Sequence, residues 1–347
     1  MEDTPKNRRI FLVGMAALSA KIMVCGCGEK KPLTESKTIY EYWWWDAKII
    51  FKDAKSNVKT LIQAIEKDDL DKITSLVKGG ADVNARGKMD ITPLVWALLA
   101  DDETFRKLLE LGADPNIPVD LTKYKEDAKS DFICCNIGPG GTVINILCNG
   151  IDSEVNSFKN TAGINDDRPK LRAALEYGGN PNALVSEYGY SPLMQVGDWL
   201  CGMKWGTRLL LDAGADPNYA APGGETVLQR FLATSVADDH QIELIEMLLD
   251  AGADICAGES GNDIVMSLVW WQSFENQRPL SDAFHRLRDR VIALGVNYEL
   301  AKEMIEAAEN HQSEMDINAL RRLPFNKRPW LPCYEPDEEE PQEQEDE

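Results

Sequence analysis

The sequence has little of what enzyme active sites are usually built from. Only three of its 347 residues are histidines, and His240, His285 and His311 each stand alone in or beside a predicted helix. It has no Gly-x-Ser-x-Gly motif, no phosphate-binding glycine loop and no His/Glu pair at metal-ligand spacing. The sequence therefore predicts a protein without a catalytic site, a cofactor, a metal site or a small-molecule substrate.

Positive charge is also scarce. The chain carries 37 Lys and Arg against 58 Asp and Glu, a formal net charge of -21. That balance disfavours nucleic acid and anionic lipid surfaces as general partners. Nine of the acids fall between residues 335 and 347, and a run of like charge is typical of a disordered segment. We predict a disordered acidic tail over residues 334–347.

The apolar run near the N-terminus is too short to span a bilayer. It extends from Ile10 to Ala20, which is 11 residues, whereas a spanning helix needs about 20. Lys6, Arg8 and Arg9 precede it. A basic region followed by a short apolar run predicts a signal peptide, here over residues 1–27.

The end of this segment, Val24-Cys25-Gly26-Cys27, resembles the bacterial lipobox. The resemblance implies that Cys27 becomes the lipid-modified N-terminus and that the chain is anchored on the periplasmic face of an envelope membrane. Gly28 follows it, which among such lipoproteins favours the outer over the inner membrane. The stretch Asn7-Arg8-Arg9-Ile10-Phe11-Leu12-Val13 looks like a twin-arginine export signal, and general secretion is the alternative.

A five-residue motif dominates the rest of the chain. Its glycines are 32, 66, 36, 38 and 43 residues apart, and a period near 33 is typical of a repeat array. Glycine after an apolar helix supplies the left-handed residue that ends it, and the Asx residues that follow favour a turn. The copies are Gly80-Ala81-Asp82-Val83-Asn84, Gly112-Ala113-Asp114-Pro115-Asn116, Gly178-Gly179-Asn180-Pro181-Asn182, Gly214-Ala215-Asp216-Pro217-Asn218, Gly252-Ala253-Asp254-Ile255-Cys256 and a degraded Gly295-Val296-Asn297-Tyr298.

Each motif lies between two helix patterns. An apolar second-helix pattern precedes it, as at residues 107–111, and a first-helix start follows it, as at residues 91–97. Thr92 and Ser191 are placed to cap first helices, each with proline at the first helical position. These motifs resemble the ankyrin repeat family. The resemblance implies an all-α ankyrin-repeat solenoid of about six helix-turn-helix repeats over residues 57–298, preceded by the lipoprotein signal segment and monomeric.

The regions that flank the repeats have less regular patterns. Residues 28–56 are predicted to be a tether and an N-terminal aromatic cap, with Trp43, Trp44, Trp45 and Phe51 close together. These rings suit a cap over the first repeat, a membrane-interface contact or a partner-binding patch. Residues 299–333 are predicted to be a C-terminal capping helix and coil, with proline-marked coil over residues 324–334.

The third repeat is twice the usual length. We interpret residues 112–178 as one repeat with insertions at about 117–140 and 149–168. Long insertions in a compact array are often functional, and tolerated surface loops are the alternative. An enzyme site there, with Asp166 and Asp167 as candidates, is a weaker hypothesis.

Six cysteines remain beyond the signal segment. An even number in an exported protein permits disulfides, and one pairing would join the first insertion to its own helix through Cys148. Buried thiols are the alternative. Without a Cys-x-x-Cys motif, the sequence does not favour zinc or redox catalysis. The six are Cys134, Cys135, Cys148, Cys201, Cys256 and Cys333.

The family resemblance implies a protein partner. In ankyrin repeats the turn loops and the exposed side of the first helices form one binding surface. Trp96 is placed there as an exposed anchor or, equally, as filler between helices. The residues we predict for the surface are Arg86, Lys88, Met89, Asp90, Trp96, Tyr188, Tyr190 and Trp199.

The overall layout is similar to bacterial ankyrin lipoproteins that act as immunity proteins against type VI secreted lipase effectors. The similarity lies in the lipid signal, in Phe51-Lys52-Asp53 and in the first repeat, which runs from Asn84 to Leu98. It implies that the chain covers the active site of a secreted lipase. A generic envelope scaffold is the alternative.

Overall fold

The structure is a succession of short α-helices joined by tight turns. It is a computed structural model, and it describes residues 47–120, 140–148, 169–185, 189–197, 204–233, 238–275, 279–310 and 316–336. Within those ranges the extended structure consists of two isolated bridges, Val185 with Tyr190 and Ala220 with Thr226. The signal segment, the tether with Trp43, Trp44 and Trp45, most of the first insertion of repeat three, all of the second and most of the acidic tail lie outside the described residues.

The helices of the repeats form where the sequence patterns predict them, and α1 and α15 are additional. The helices up to residue 212 are α1 Ala47–Ile50, α2 Ser56–Ile65, α3 Leu70–Lys78, α4 Pro93–Trp96, α5 Asp102–Glu110, α6 Val143–Cys148, α7 Pro169–Glu176, α8 Pro192–Val196 and α9 Lys204–Asp212. The later ones are α10 Val227–Leu232, α11 Asp239–Asp250, α12 Ile264–Gln272, α13 Asp282–Ala293, α14 Tyr298–Glu309 and α15 Ile317–Arg322.

Side-chain caps explain where the first helices begin. The Thr92 hydroxyl accepts a hydrogen bond from the Val95 amide at 3.3 Å, and the Ser191 hydroxyl accepts one from the Met194 amide at 3.3 Å. Thr226 does the same within a reciprocal capping box. These bonds satisfy amides that a helix start leaves without a partner. The predicted caps at Thr92 and Ser191 are confirmed.

Left-handed glycines explain where the second helices end. The first glycine of every pentad has a positive φ, and the Ala81 amide donates to the Leu76 carbonyl at 2.9 Å, closing the turn. Only glycine takes this conformation without steric cost. The φ values are 90° at Gly80, 92° at Gly112, 86° at Gly178, 87° at Gly214, 87° at Gly252 and 97° at Gly295.

The chain divides into two compact units. The first holds the described residues up to Gln195 together with Asp212–Ala215, and the second holds Val196–Leu211 and the residues from Asp216 onward. In the first unit α2 packs on α3 and on α4, and the second helices α3, α5 and α7 pack in that order. In the second unit the first helices α10, α12 and α14 pack in order, and α11 packs on α13. Within each unit, successive helical hairpins therefore pack side by side, as in a repeat array.

The predicted core faces are mostly buried. Val58, Leu61, Ile62 and Ile65 on α2 are all buried, as helical spacing predicts. On α3 only Ile73 is fully buried, while Leu70, Leu76 and Val77 stay half-exposed. Six apolar residues of the second repeat are also buried: Leu94, Ala97, Leu98, Phe105, Leu108 and Leu109.

The segment from Leu323 to Glu335 is more ordered in its packing than a proline-marked coil suggests. It follows a short helix, α15, and contains a 3₁₀ turn at Phe325–Lys327. Arg328 and Trp330 have no exposed surface. Arg328 Nη1 bonds Asp263 Oδ2 at 2.6 Å, and Trp330 Nε1 donates to the same oxygen at 3.1 Å. This segment closes the last hairpin of the second unit.

A disulfide holds the same segment. Cys333 is bonded to Cys256, the last residue of the fifth pentad, with their Cα atoms 6.2 Å apart. Cys148 is buried in α6. Cys134, Cys135 and Cys201 lie outside the described ranges. The pairing that we suggested between Cys148 and the first insertion therefore stays a prediction.

Candidate functional site

The loops after the pentads are the first candidate surface. In the first four pentads, which have an Asx residue at the third and fifth positions, these two residues have separate roles. In the first copy Asp82 Oδ1 accepts from the Asn84 amide at 2.9 Å and forms a local turn. Asn84 Nδ2 then donates to the Gly112 carbonyl at 3.0 Å, and Asn84 Oδ1 accepts from the Asp114 amide at 2.8 Å. One asparagine therefore bridges two successive pentads.

This pattern repeats, and we call it the asparagine ladder. In the first unit the side-chain amides of Asn57, Asn116 and Asn182 donate to the carbonyls of the next pentad glycine at 3.1, 2.8 and 3.0 Å. In the second unit Asn218 donates to the Gly252 carbonyl at 3.0 Å and accepts from the Asp254 amide at 2.7 Å. The sequence analysis predicts only local turns at the pentad asparagines. The recurrence of asparagine at the fifth position of the pentad is the sequence signal for the ladder.

The loop between Asn84 and Ile91 carries four of the predicted surface residues. Its Gly87 amide donates to the Ile91 carbonyl at 2.8 Å. A Cβ on Gly87 would lie 2.8 Å from the Ile50 carbonyl oxygen, so only glycine lets this loop pass α1. Met89 and Asp90 have φ angles of 59° and 58°, a conformation that costs non-glycine residues energy. The loop is thus held tightly against α1.

Two of the predicted surface residues are buried. Trp96 is 0 % exposed and packs edge-on against Phe51, with ring centroids 5.7 Å apart. Met89 is 7 % exposed because its left-handed backbone turns the side chain inward. Placing Trp96 as an exposed anchor was wrong, and the filler alternative is correct. Met89 likewise contributes no significant surface.

The other predicted residues differ in their exposure. Arg86 and Lys88 are exposed, and Asp90 is half-buried and lies 3.4 Å from Arg86. An ion pair this exposed contributes little to stability, so Arg86 can exchange it for a partner. Tyr190 is half-buried, and its carbonyl accepts from the Val185 amide at 3.1 Å. Tyr188, Trp199 and the lipidation candidate Cys27 lie outside the described residues.

A cleft in the second unit is the second candidate site. It has a volume of about 250 Å³ and lies along the row of first helices, between α12, α14 and α15. Its walls are mixed, because Met266, Trp271, Ile305 and Ile317 contribute apolar surface and Asn262, Ser267, Glu309 and Arg321 contribute polar groups. Trp270, which is 41 % exposed, stands at its edge and stacks edge-on with Phe274. The sequence patterns do not predict this cleft, because they do not predict α15.

The polar groups of this cleft contribute as much of its lining as the apolar ones. Asn262 and Glu309 line it and are exposed, and Arg321 reaches it from the last turn of α15. Arg321 Nε is buried and has no hydrogen-bond partner among the described residues. A buried donor without a partner is rare and costly in folded proteins.

Within the described ranges, no group of three or more His, Cys, Asp or Glu side chains is arranged to hold a metal ion. None of the described helices has the length and apolar character needed to cross a membrane.

Comparison with known proteins gives limited matches. No family model matches the chain. A mitochondrial disaggregase from Bos taurus is 28% identical over 154 residues, which cover 41% of this chain and 21% of that protein, so the chain spans about a fifth of its length. The crystal structure of an ankyrin repeat domain from Acinetobacter baumannii AYE matches with a TM-score of 0.45 and 18% identity, over 65% of this chain and 94% of that domain.

Proposed function

We propose that this chain is a protein-binding module whose binding surface is formed by the loops that follow the pentads. The asparagine ladder is the observation that carries the proposal. Within each unit it ties successive loops together by hydrogen bonds of 2.7 to 3.1 Å. Loops fixed before binding lose less conformational entropy when a partner docks, which favours affinity.

The loop at residues 84–91 supplies the charge for recognition. Arg86 and Lys88 are both exposed on it, in a chain whose net charge is -21. Arginine is enriched at the energetic centres of protein interfaces because its guanidinium makes several directed bonds. The partner surface that fits this loop is acidic.

The proposed loop surface is tested with paired charge removals. In the double variant Arg86→Ala/Lys88→Ala the dissociation constant of the complex with the partner should rise about 10-fold or more. Calorimetry with the purified full chain measures this constant. The control Lys72→Ala/Lys78→Ala removes two exposed lysines from α3, on a second helix away from the loops, and should bind as wild type. Equal affinities for all three proteins would reject the loop surface.

The partner we propose is a secreted lipase effector, with this chain as its immunity protein. The layout of lipid signal and ankyrin-like repeats supports this proposal. We expect a lipase gene beside the gene of this chain. Cells that lack the chain should become sensitive to that lipase, and the purified pair should form a complex that blocks lipid hydrolysis. If the pair does not associate and deletion leaves cells resistant, a generic envelope scaffold becomes the better explanation.

We further propose that the chain is exported and anchored by a lipid on Cys27 at the periplasmic face, with the outer membrane favoured. The disulfide between Cys256 and Cys333 supports export, because such bonds persist in oxidising compartments. A Cys27→Ala variant should appear in the soluble periplasmic fraction, whereas wild type should sediment with membranes. Equal sedimentation of both would reject the anchor.

A further inference from the structure

The first two helices of the first unit carry a local excess of positive charge. From the start of α1 to the end of α2 the chain has four lysines and a single acid, Asp53. The whole chain, in contrast, has a net charge of -21. This part of the unit therefore attracts anions, although the chain as a whole repels them.

Three of these lysines, which we call the lysine edge, lie three to four residues apart. Lys55 and Lys59 are one helical turn apart at the start of α2, where the Lys59 amide donates to the Lys55 carbonyl at 3.0 Å. Lys52 lies in the turn just before them. All three are exposed, and none forms an ion pair with a carboxylate of the described residues.

The lysine edge lies outside the packing of the unit. The buried side of α2 carries Val58, Leu61 and Ile62, and α2 packs on α3 and α4. The Lys55 side chain makes no cap hydrogen bond at the start of α2. The charges of the lysine edge are therefore available to an anionic partner.

An exposed apolar side chain precedes the lysine edge by three residues. Ile49 in α1 is 41 % exposed, whereas its neighbour Ile50 is buried. Cations close to an exposed apolar side chain suit the boundary between lipid headgroups and acyl chains. Directly before α1 the sequence has Trp43, Trp44 and Trp45, and tryptophan prefers the same layer. The surroundings of the lysine edge therefore favour a lipid surface over an acidic protein.

The proposed lipid on Cys27 would keep the lysine edge near such a surface. Ala47, where α1 begins, is 20 residues after Cys27. A chain of that length reaches at most about 70 Å even when fully extended. The lipid anchor thus supplies the location, and the lysine edge supplies the contact.

We propose that Lys52, Lys55 and Lys59 bind the headgroups of anionic phospholipids, with Ile49 entering the layer beneath them, and that this contact orients the first unit on the membrane. The inference deepens the proposed anchoring and rests on it for bringing the membrane close. Each lysine near an anionic surface strengthens binding about fivefold. Such a contact is too weak to replace the lipid, so a Cys27→Ala chain is still released when cells are fractionated.

The test measures vesicle binding by the full chain with Cys27→Ala, to which no lipid is attached. Its partition coefficient is determined by sedimentation with vesicles of phosphatidylcholine, alone or mixed with an equal amount of phosphatidylglycerol. Lys55→Gln/Lys59→Gln should lower the coefficient for the mixed vesicles about 10-fold or more. Lys72→Gln/Lys78→Gln removes the same charge from exposed positions on α3 and should change it little, because salt screens distant charges.

A second pair of variants tests contact with the lipid layer. Ile49→Ser should lower partition into both kinds of vesicle severalfold, because its apolar surface is buried whatever the headgroup charge. Ile292→Ser on α13 removes the same side chain at the same 41 % exposure and should partition as the reference. All of these substitutions are at exposed positions, so the unfolding midpoint should not change.

Three results would overturn the proposal. Equal losses for the two lysine pairs would show that general charge attracts the vesicles, and no loss for either pair would show that the lysine edge does not touch lipid. Unchanged partition of Ile49→Ser would favour an acidic protein as the partner of the lysine edge. The cell-fractionation test of Cys27→Ala is separate, because its failure would reject the anchor and leave the vesicle result unaffected.

Discussion

The pentads of the first unit and the last pentad of the second unit are completed by different groups. In the first unit the Asp114 amide donates to the side chain of Asn84, one pentad earlier. In the second unit the Asn297 amide, at the equivalent position, donates to the Trp330 carbonyl at 2.9 Å. The fifth pentad ends in Cys256 rather than asparagine, so its side chain offers no such acceptor and the closing segment supplies one.

Because the closing segment replaces a ladder asparagine at the last pentad, the stabilising interactions are distributed differently there. Ladder bonds lie at exposed positions, and each links only two neighbouring pentads. The closing segment depends on a few buried groups, since Asp263 and Arg328 have side chains with no exposed surface. A ladder can lose one rung at modest cost, whereas the closing segment depends on each of its anchors.

The largest effect should come from Asp263→Asn. Asp263 accepts from the Met266 amide at 2.8 Å, from Arg328 and from Trp330. The amide would leave the buried guanidinium of Arg328 without its counter-charge, which typically costs about 3–5 kcal/mol. Urea unfolding followed by circular dichroism measures the loss.

An exposed ion pair in the same unit gives the control for that substitution. Asp250 lies 2.7 Å from Arg290, but its side chain is 72% exposed. Asp250→Asn should cost about 0–1 kcal/mol. If both variants unfold at the same urea concentration, the buried pair does not hold the closing segment.

The next largest effect should come from the disulfide. Cys256 and Cys333 are 77 residues apart, and a bond that closes a loop of this size typically stabilises a domain by about 2–4 kcal/mol. Cys333→Ser should lower the free energy of unfolding by that amount. Cys256→Ser and the double variant should match it, because each removes the same bond. An additional loss in the double variant would contradict this.

A rung of the ladder should matter less. Asn116 Nδ2 donates to the Gly178 carbonyl at 2.8 Å, and its Oδ1 accepts from the Asn180 amide at 2.7 Å. At about 0.5–1.5 kcal/mol for each of the two bonds, Asn116→Ala should cost about 1–3 kcal/mol in thermal or urea unfolding.

Asn310→Ala is the control for the ladder rung. Its side chain bonds the Glu306 carbonyl within its own helix end, so its removal leaves the links between pentads intact. The expected cost is smaller than that of Asn116→Ala. Equal costs would show that the ladder adds nothing beyond ordinary local hydrogen bonds.

Much of this fold could be predicted because its signals are local. Glycine with positive φ, hydroxyl caps and helical spacing act within a few residues, so Gly80, Thr92 and the α2 core face were placed correctly. The closing segment could not be predicted, because its partners Asp263 and Arg328 are 65 residues apart in sequence. Nothing in the local pattern around Arg328 indicates its partner.

The candidate sites divide in the same way. Arg86 and Lys88 were placed on an exposed loop because the loop follows directly from the pentad. Trp96 was misplaced because its burial depends on Phe51, which lies ahead of the first repeat. The cleft was missed because it needs α12, α14 and α15 together, and helical periodicity alone does not show how separate helices meet.

The smallest effect on stability should come from Tyr298, in the last pentad. In the degraded pentad it replaces residues such as Val83, and its hydroxyl donates to Gln272 Oε1 at 2.7 Å. Burial raises the pKa of the Tyr298 phenol from 10.0 to about 12. Between these values the folded chain keeps a proton that the unfolded chain has lost, so this residue's contribution to stability should fall as pH rises from 10 toward 12.

Tyr298→Phe should abolish that part of the pH dependence. The wild type should be the more stable protein at neutral pH, and the difference between the two free energies of unfolding should shrink as pH rises through that window, measured by urea unfolding at successive pH values. Tyr334→Phe alters an exposed ring and should follow the wild-type curve throughout. A difference in free energy of unfolding between wild type and Tyr298→Phe that stays constant with pH would mean that the last pentad does not shield this hydroxyl from water. The closing segment would then pack on the last pentad less tightly than the ladder links the other pentads.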